Sequence, residues 1–408
     1  MVFPEGFLWG AATAGHQVEG NNVASDAWLL EHVRPSTFKE PSGDACNSFA
    51  LWQEDLDLVR ALGLNTYRFS LEWARIEPER GLISLAMLEH YKRIIAGCRE
   101  RGLIPMVTFN HYTCPRWFAA RGGWTEPQAA DLFVAYCETA ARHLAAEIGY
   151  ATTLNEPNAP QQLKWYDMPA SFYDAQDRML EAARQACGSA HFTAANAANN
   201  ADLEAMLPVM TAAHKRAYEA IKSVRPDLPV GVSLAIGDDQ AVGTNTRRDQ
   251  MRSDAYGAWL EAVKAGDFLG VQNYLRTQSD AHGLLPVPKG AKTNSMGDEI
   301  YPTSLGNAVR YAHEATRLPI IVTENGLAAD DDNLRAAYIP EALRGLHAAL
   351  REGVPVKGYV HWSLLDNYEW TSGYSQKFGL YAVDRATFQR MRKPSAAVLE
   401  AIARRNAL

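Results

Sequence analysis

Nowhere in the chain do about 18 apolar residues run together, which removes the span that a transmembrane helix needs. Met1 to Gly15 carries no basic stretch followed by an apolar core and a cleavage site, so no secretory leader is read and the cytoplasm is the expected compartment. Cysteine is scarce: Cys46, Cys98, Cys114, Cys137 and Cys187 are odd in number and lack CxxC spacing, so neither a disulfide framework nor a zinc knuckle is indicated. Positive charge is in deficit, with 40 Lys and Arg against 47 Asp and Glu, and it forms no stripe. Nothing here attracts a phosphate backbone or an anionic membrane, so neither nucleic acid nor membrane is expected as a partner. Charged residues at 21% are too few for a solvated, disordered chain, and a hydrophobic share of 47% can fill a large core.

What is present is an alternation. Short apolar runs rich in β-branched and aromatic residues lie near Trp9–Thr13, Tyr67–Leu71, Pro105–Phe109, Tyr150–Leu154, Val230–Ala235, Phe268–Tyr274, Ile320–Thr323 and Gly358–Trp362. Amphipathic stretches separate them, over Phe49–Leu62 (stopped by Gly63), Leu85–Arg101, Pro127–Ile148, Leu207–Ser223, Ser304–Thr316, Leu334–Arg351 and Ala396–Arg404. Eight such strands alternating with helices predict one α/β domain spanning residues 1–408, a closed (β/α)₈ TIM barrel with extended loops at its C-terminal face. Residues 161–203, rich in Ala and Asn from Ser189 to Asn200, form an atypical insertion that reads as a helical or irregular element on that face.

Catalytic groups in such barrels project from the C-terminal strand ends. Here several runs finish in polar or aromatic residues. Arg68 lies in the second strand, His111 follows the third, Asn155 and Glu156 the fourth, and Tyr274 closes the sixth. Glu324 follows the seventh and Trp362 closes the eighth. Two carboxylates at the fourth and seventh strand ends face each other across the mouth, which suits glycoside cleavage: one acid protonates the leaving oxygen while the other carboxylate attacks the anomeric carbon. Arg68 and the Tyr274 hydroxyl, reaching Glu324, would favour its ionised form, and that charge would keep Glu156 protonated.

These segments resemble glycoside hydrolase family 1, the β-glucosidase family, from Phe3 to Pro394. Thr153-Leu-Asn-Glu-Pro-Asn158 is similar to that family's acid/base motif and Val322-Thr-Glu-Asn-Gly326 to its nucleophile motif. Further matches are the Gln-Val-Glu-Gly stretch at Gln17, Tyr67-Arg-Phe-Ser70, Arg121-Gly-Gly-Trp124, Trp362-Ser-Leu-Leu-Asp366, Glu369-Trp370, Phe378-Gly379 and Lys393-Pro-Ser395. The resemblance implies a retaining exo-β-glycosidase acting on a small β-glycoside, β-glucosidase first, with Glu156 as acid/base and Glu324 as nucleophile. It implies that Arg68, Asn155 and Tyr274 support catalysis, and that Gln17, His111, Asn155, Trp362, Glu369 and Trp370 hold the non-reducing sugar. No cofactor and no metal is expected, since two carboxylates suffice. Because the family's 6-phosphate-specific members replace the acid at Glu369, the resemblance also points to an unphosphorylated sugar.

Three departures stand out. Tyr112 follows His111 where the family has Trp, the sixth strand reads Gln272-Asn273-Tyr274 in place of Asn-Tyr-Tyr, and the Gly-Tyr and Ala-Pro-Gly pieces after the acid/base motif are absent. Tyr112, Trp117 and Trp124 read as packing residues rather than substrate contacts. The alternatives are β-galactosidase or β-fucosidase activity, a transglycosylase using the same residues, or, in another class, a non-catalytic sugar-binding barrel. Aglycone, oligomeric state and the role of 161–203 are not legible in these residues.

Overall fold

The computed structural model describes residues 1–166, 168–197, 199–244 and 247–408. Its centre is a closed ring of eight parallel strands: β1 (Leu8–Ala12), β2 (Thr66–Ser70), β3 (Ile104–Asn110), β4 (Tyr150–Asn155), β5 (Val230–Ala235), β6 (Phe268–Asn273), β7 (Ile320–Asn325) and β8 (Val356–Trp362). Each strand pairs with its neighbours in sequence, and β8 closes on β1 through Leu8↔Gly358 to Ala12↔Trp362. The expected TIM barrel is what the chain forms.

Side chains alternate across a strand with period two, so each strand feeds two cores. Leu8, Met106, Phe268, Ile321 and Val360 meet in one buried cluster with Trp362, whereas their chain neighbours Trp9, Val107, Leu269, Val322 and Tyr359 belong to the larger core shared with the helices. The longer helices are α1 (Ser48–Ala61), α2 (Leu85–Glu100), α3 (Ala129–Leu144), α4 (Ala170–Cys187), α5 (Asn200–Val224), α6 (Ser304–Thr316), α7 (Asp332–Arg351) and α8 (Pro394–Arg405). Local chemistry sets their starts: Ser84 accepts from Met87 N, Asn199 from Asp202 N and Asp331 from Asn333 N. Gly63, just past α1, has φ +67, the left-handed conformation that glycine adopts without strain.

Several boundaries differ from the sequence expectation, most by a residue or two. α5 begins at Asn200, not Leu207, so Pro208 lies within the helix instead of in its first turn; the Asn199 cap supports about two added turns. β7 continues through Glu324 and Asn325, and β6 stops at Asn273, one residue before Tyr274. The 161–203 segment is helical over Ala170–Cys187. There Met179, Leu180 and Ala183 pack on Leu30, Val33, Phe38 and Tyr368, all from the segments that follow β1 and β8.

Beyond β5 and β6 the chain adds a short parallel pair, Asp238–Ala241 with Arg276–Ser279, which raises one wall above the strand ends. No helix among the described residues is long and apolar enough to cross a membrane.

Candidate active site

Both glutamates of the sequence motifs sit where regular strand pairing is broken. Between β4 and β5 the register shifts after Thr152↔Gly231, so that Asn155 comes opposite Ser233. Between β6 and β7 it shifts after Val271↔Val322, so that Glu324 comes opposite Gln272. A one-residue irregularity of this kind re-aims every side chain after it. Thr153 accordingly bonds His214 of α5 on the outside of the barrel, at 2.7 Å, while Asn155 bonds partners within it. Glu156 itself has φ +43, and its N–H donates to Ser233 O at 2.8 Å.

Arg68, fully buried on β2, joins the two motif strands. Its Nη1 donates to Glu324 Oε1 at 2.5 Å and its Nη2 to Asn155 Oδ1 at 2.5 Å. Asn155 Oδ1 also accepts from Gln272 Nε2 at 2.8 Å, and Asn155 Nδ2 lies 3.2 Å from His111 Nε2. Asn155 therefore holds the others together from behind the cavity. Tyr274 donates its hydroxyl to the second oxygen of Glu324, Oε2, at 2.6 Å. Glu156 has a different partner: the Tyr112 hydroxyl donates to its Oε2 at 2.6 Å. Tyr112, assigned to packing by sequence, is thus a contact of the candidate site. Trp124 is packing as expected, fully buried against Phe118 and Phe133, and Trp117 donates Nε1 to Glu77 O at 2.9 Å.

The electrostatics of the pair are unequal. Burial raises both carboxyls, since it penalises the charged form. On Glu324 the Arg68 charge and the hydrogen bonds of Tyr274 and Arg68 oppose that rise. Glu156 is pushed up to about 8, by burial first and then by the Glu324 charge, against which the Tyr112 hydrogen bond and the Arg68 charge pull down. Near neutral pH Glu156 holds its proton. His111 is held well below its ordinary value by burial and by Arg68, so its ring is neutral.

A cavity of about 280 Å³ opens between these groups, lined by Gln17, His111, Tyr112, Glu156, Tyr274, Glu324, Trp362, Glu369 and Trp370, together with Leu275, Asn294, Met296, Asp298, Gly326 and Phe378. Gln17 lies in a single helical turn, Gly15–Val18, pinned when Gly15 N donates to Ser70 Oγ at 2.7 Å and His16 N to Glu72 Oε1 at 3.0 Å. Its Nε2 donates to Tyr368 O at 2.7 Å, and its Oε1 has no partner among the described residues. His111 Nδ1 is likewise buried without a partner among the described residues. One acceptor and one ring N–H are thus left for a ligand. Trp362 stacks on His111, with centroids 5.8 Å apart, and donates Nε1 to Glu369 Oε1 at 3.3 Å. Trp370 lies parallel to His16, at 5.5 Å and 4°. Burial drives Glu369 up to about 8, against the Trp362 hydrogen bond.

All ten residues marked by sequence converge on this mouth, although Arg68 and Asn155 lie beneath the lining. Sequence reasoning missed Tyr112, Leu275, Asn294, Met296 and Asp298. The last three ride a loop after β6 in which Asn294 Oδ1 accepts from the N–H groups of Met296 and Asp298, both at 2.9 Å. No motif signals such a loop; its position after a barrel strand was the one available hint. A second cavity of about 290 Å³, with Gln162, Trp165, Tyr166 and Thr277, shares Glu156, Tyr274 and Leu275 with the first.

Known proteins resemble this chain along its whole length. β-Glucosidase A of Thermotoga maritima is 30% identical over 451 residues, covering 100% of this chain and 98% of its own. The bifunctional β-D-glucosidase/β-D-fucosidase of Bifidobacterium breve is 30% identical over 468 residues, covering 97% and 96%. Among solved structures, β-glycosidase BGL167 matches with a TM-score of 0.94 and 45% identity over 100% of this chain and 98% of that one. The family model described as glycosyl hydrolase family 1 matches residues 1–287 and 276–408. With a closed barrel, two strand-end glutamates and relatives matched along their whole length, the chain belongs to glycosyl hydrolase family 1.

Proposed function

We propose that the protein is a retaining exo-β-glucosidase that removes one terminal, unphosphorylated glucose from a small β-glucoside. The observation that carries this reading is the unequal pair: Glu324, bonded by Arg68 and Tyr274, beside Glu156, whose carboxyl is pushed up to about 8. Glu324 is the nucleophile and attacks the anomeric carbon. Glu156 gives its proton to the glycosidic oxygen, and the C–O bond breaks as the ester to Glu324 forms. Once Glu324 is esterified its charge is gone, Glu156 ionises more readily, and it takes a proton from the water that opens the ester.

Recognition of the sugar falls to Gln17, His111, Trp362, Glu369 and Trp370, whose mixed donors, acceptors and indole faces suit hydroxyls and sugar C–H groups. The cavity, at about 280 Å³, lies at the small end of ligand pockets, which fits a single sugar. Among the described residues its lining contains no Lys or Arg to hold a phosphate, and Asp298 is acidic. The named B. breve relative makes β-D-fucosides a reasonable second substrate. Free thiols at all five cysteines fit a reducing compartment, the cytoplasm. Proton NMR of an aryl β-glucoside during the first turnovers tests the mechanism. β-Glucose appearing first supports it, and α-glucose appearing first overturns it.

A further inference from the structure

Glu156 receives one side-chain hydrogen bond among the described residues, and it comes from a position where the chain departs from the family pattern. Tyr112 Oη donates to Glu156 Oε2 at 2.6 Å. The Tyr112 backbone is left-handed, with φ +67, which turns the ring from the end of β3 toward the end of β4. Two rings brace it edge-on: His111 at 5.5 Å and 79°, and Trp370 at 5.4 Å and 89°. The arrangement repeats, on the other carboxyl, that of Tyr274, which donates to Glu324 Oε2 at 2.6 Å and is braced edge-on by Phe378 at 5.8 Å.

We propose that Tyr112 is a positioning residue for the acid/base carboxyl, its hydroxyl occupying Oε2 so that Oε1 alone carries the proton out to the leaving group and back from water. This rests on the role given to Glu156 above. Oε2 is the accepting oxygen of the Tyr112 bond in both protonation states, so the acid proton resides on Oε1, which has no hydrogen-bond partner among the described residues. In the first step the Oε1–H bond breaks, the proton passes to the glycosidic oxygen, and the electron pair stays on the carboxylate. Tyr112 then faces a full negative charge, and its hydrogen bond strengthens as that charge forms. In the second step Oε1 takes a proton from water while the oxygen of that water bonds to the anomeric carbon and the Glu324 ester breaks. The charged and titratable groups facing this pair are Glu324 from β7, Arg68 from β2, the Tyr274 phenol just after β6 and the neutral His111. Burial and the two carboxylates hold the Tyr112 phenol well above its ordinary value, so it remains a donor throughout the working pH range.

The test compares native enzyme with Tyr112→Phe on an alkyl and an activated aryl β-glucoside, following the glycosylation step across pH. Losing a donor to a carboxylate makes Glu156 harder to ionise. The alkaline limb should therefore move up by about one unit, with the alkyl substrate about ten-fold slower and the aryl substrate within about two-fold of native. In a Glu156→Gln background the same change should have no leaving-group effect, because the amide has no acid proton to deliver. Site-specific 3-fluorotyrosine at 112, a stronger donor that keeps the ring, should move the limb down and serves if Tyr112→Phe does not fold. An unmoved limb in either variant, equal loss on both substrates, or an unchanged penalty in the Glu156→Gln background overturns the proposal. If Glu156→Gln itself shows no dependence on the leaving group, the assignment of Glu156 fails instead; if it does and Tyr112→Phe is silent, only the role of Tyr112 falls.

Discussion

Arg68 Nη1 lies 2.5 Å from Glu324 Oε1, both groups almost wholly out of water. Such a pair offsets its own desolvation only while both members are present; removing one leaves a buried charge unmatched. Arg68→Met should lower kcat/KM by about 10²–10³-fold, a loss of about 3–4 kcal/mol. Since Arg68 opposes the rise that burial imposes on Glu324, its loss raises that carboxyl further, and the acid limb of the pH profile should move to higher pH. An acid limb that stays in place would show that Arg68 does not set the ionisation of Glu324.

Glu156, at about 8, should set the alkaline limb of kcat/KM, because activity that needs its proton falls as pH rises through that value. Glu156→Gln should abolish the limb. It should also slow glycosylation by alkyl glucosides about 10²–10⁴-fold while sparing activated aryl glucosides. A pH-rate profile on each substrate decides the matter.

Glu324→Gly removes the nucleophile and leaves a hole beside the anomeric carbon. Hydrolysis of a β-glucoside should fall to background, and azide should restore turnover by attacking from that face with a single inversion, giving the α-glucosyl azide. In Glu156→Gly, where Glu324 still forms its ester, azide should give the β-product. The anomeric configuration, read by NMR, separates the two roles.

Gly326 closes the nucleophile motif where β7 meets β8. A Cβ built there lies 2.0 Å from Trp362 O, so no side chain fits without moving the strand end that carries Trp362. Gly326→Ala should cost about 1–3 kcal/mol of stability through overpacking, with activity reduced as Trp362 and Glu324 shift. Thermal melting and kcat/KM should fall together.

Much of this architecture is legible in residue order because period-two apolar runs and amphipathic stretches record which side of each element is buried. β5 falls on its predicted residues, Val230–Ala235, and α6 on Ser304–Thr316. The register shifts that aim Glu324 and Asn155 are not legible: a bulge depends on the neighbouring strand, and alternation alone would predict the opposite face at these positions. Tyr112 escaped for a related reason. Its φ of +67 is unusual for a tyrosine, and with an extended backbone the ring would not reach Glu156. Asn294, Met296 and Asp298 enter the cavity by a loop whose course is set by tertiary contacts. α4 could be read as helix or irregular loop, and the fit of Met179, Leu180 and Ala183 against Leu30 and Phe38 decides for helix.

The left-handed backbone at Tyr112, Glu156 and Trp370, with φ of +67, +43 and +50, puts three sterically uncomfortable residues around one cavity. Residues with a Cβ persist there because the surrounding packing holds them, each at a cost of about 1–3 kcal/mol. At Glu156 a buried carboxyl facing Glu324 adds to that cost. Glycine would remove both, and Glu and Gly codons differ by a single nucleotide. The Glu156→Gly protein should therefore melt no lower than the active one, even with the greater freedom of its unfolded chain, and differential scanning calorimetry would show it. A population of these genes selected for heat tolerance alone would have a short mutational path to a sturdier and inert protein, so only continued demand for turnover keeps glutamate at that position.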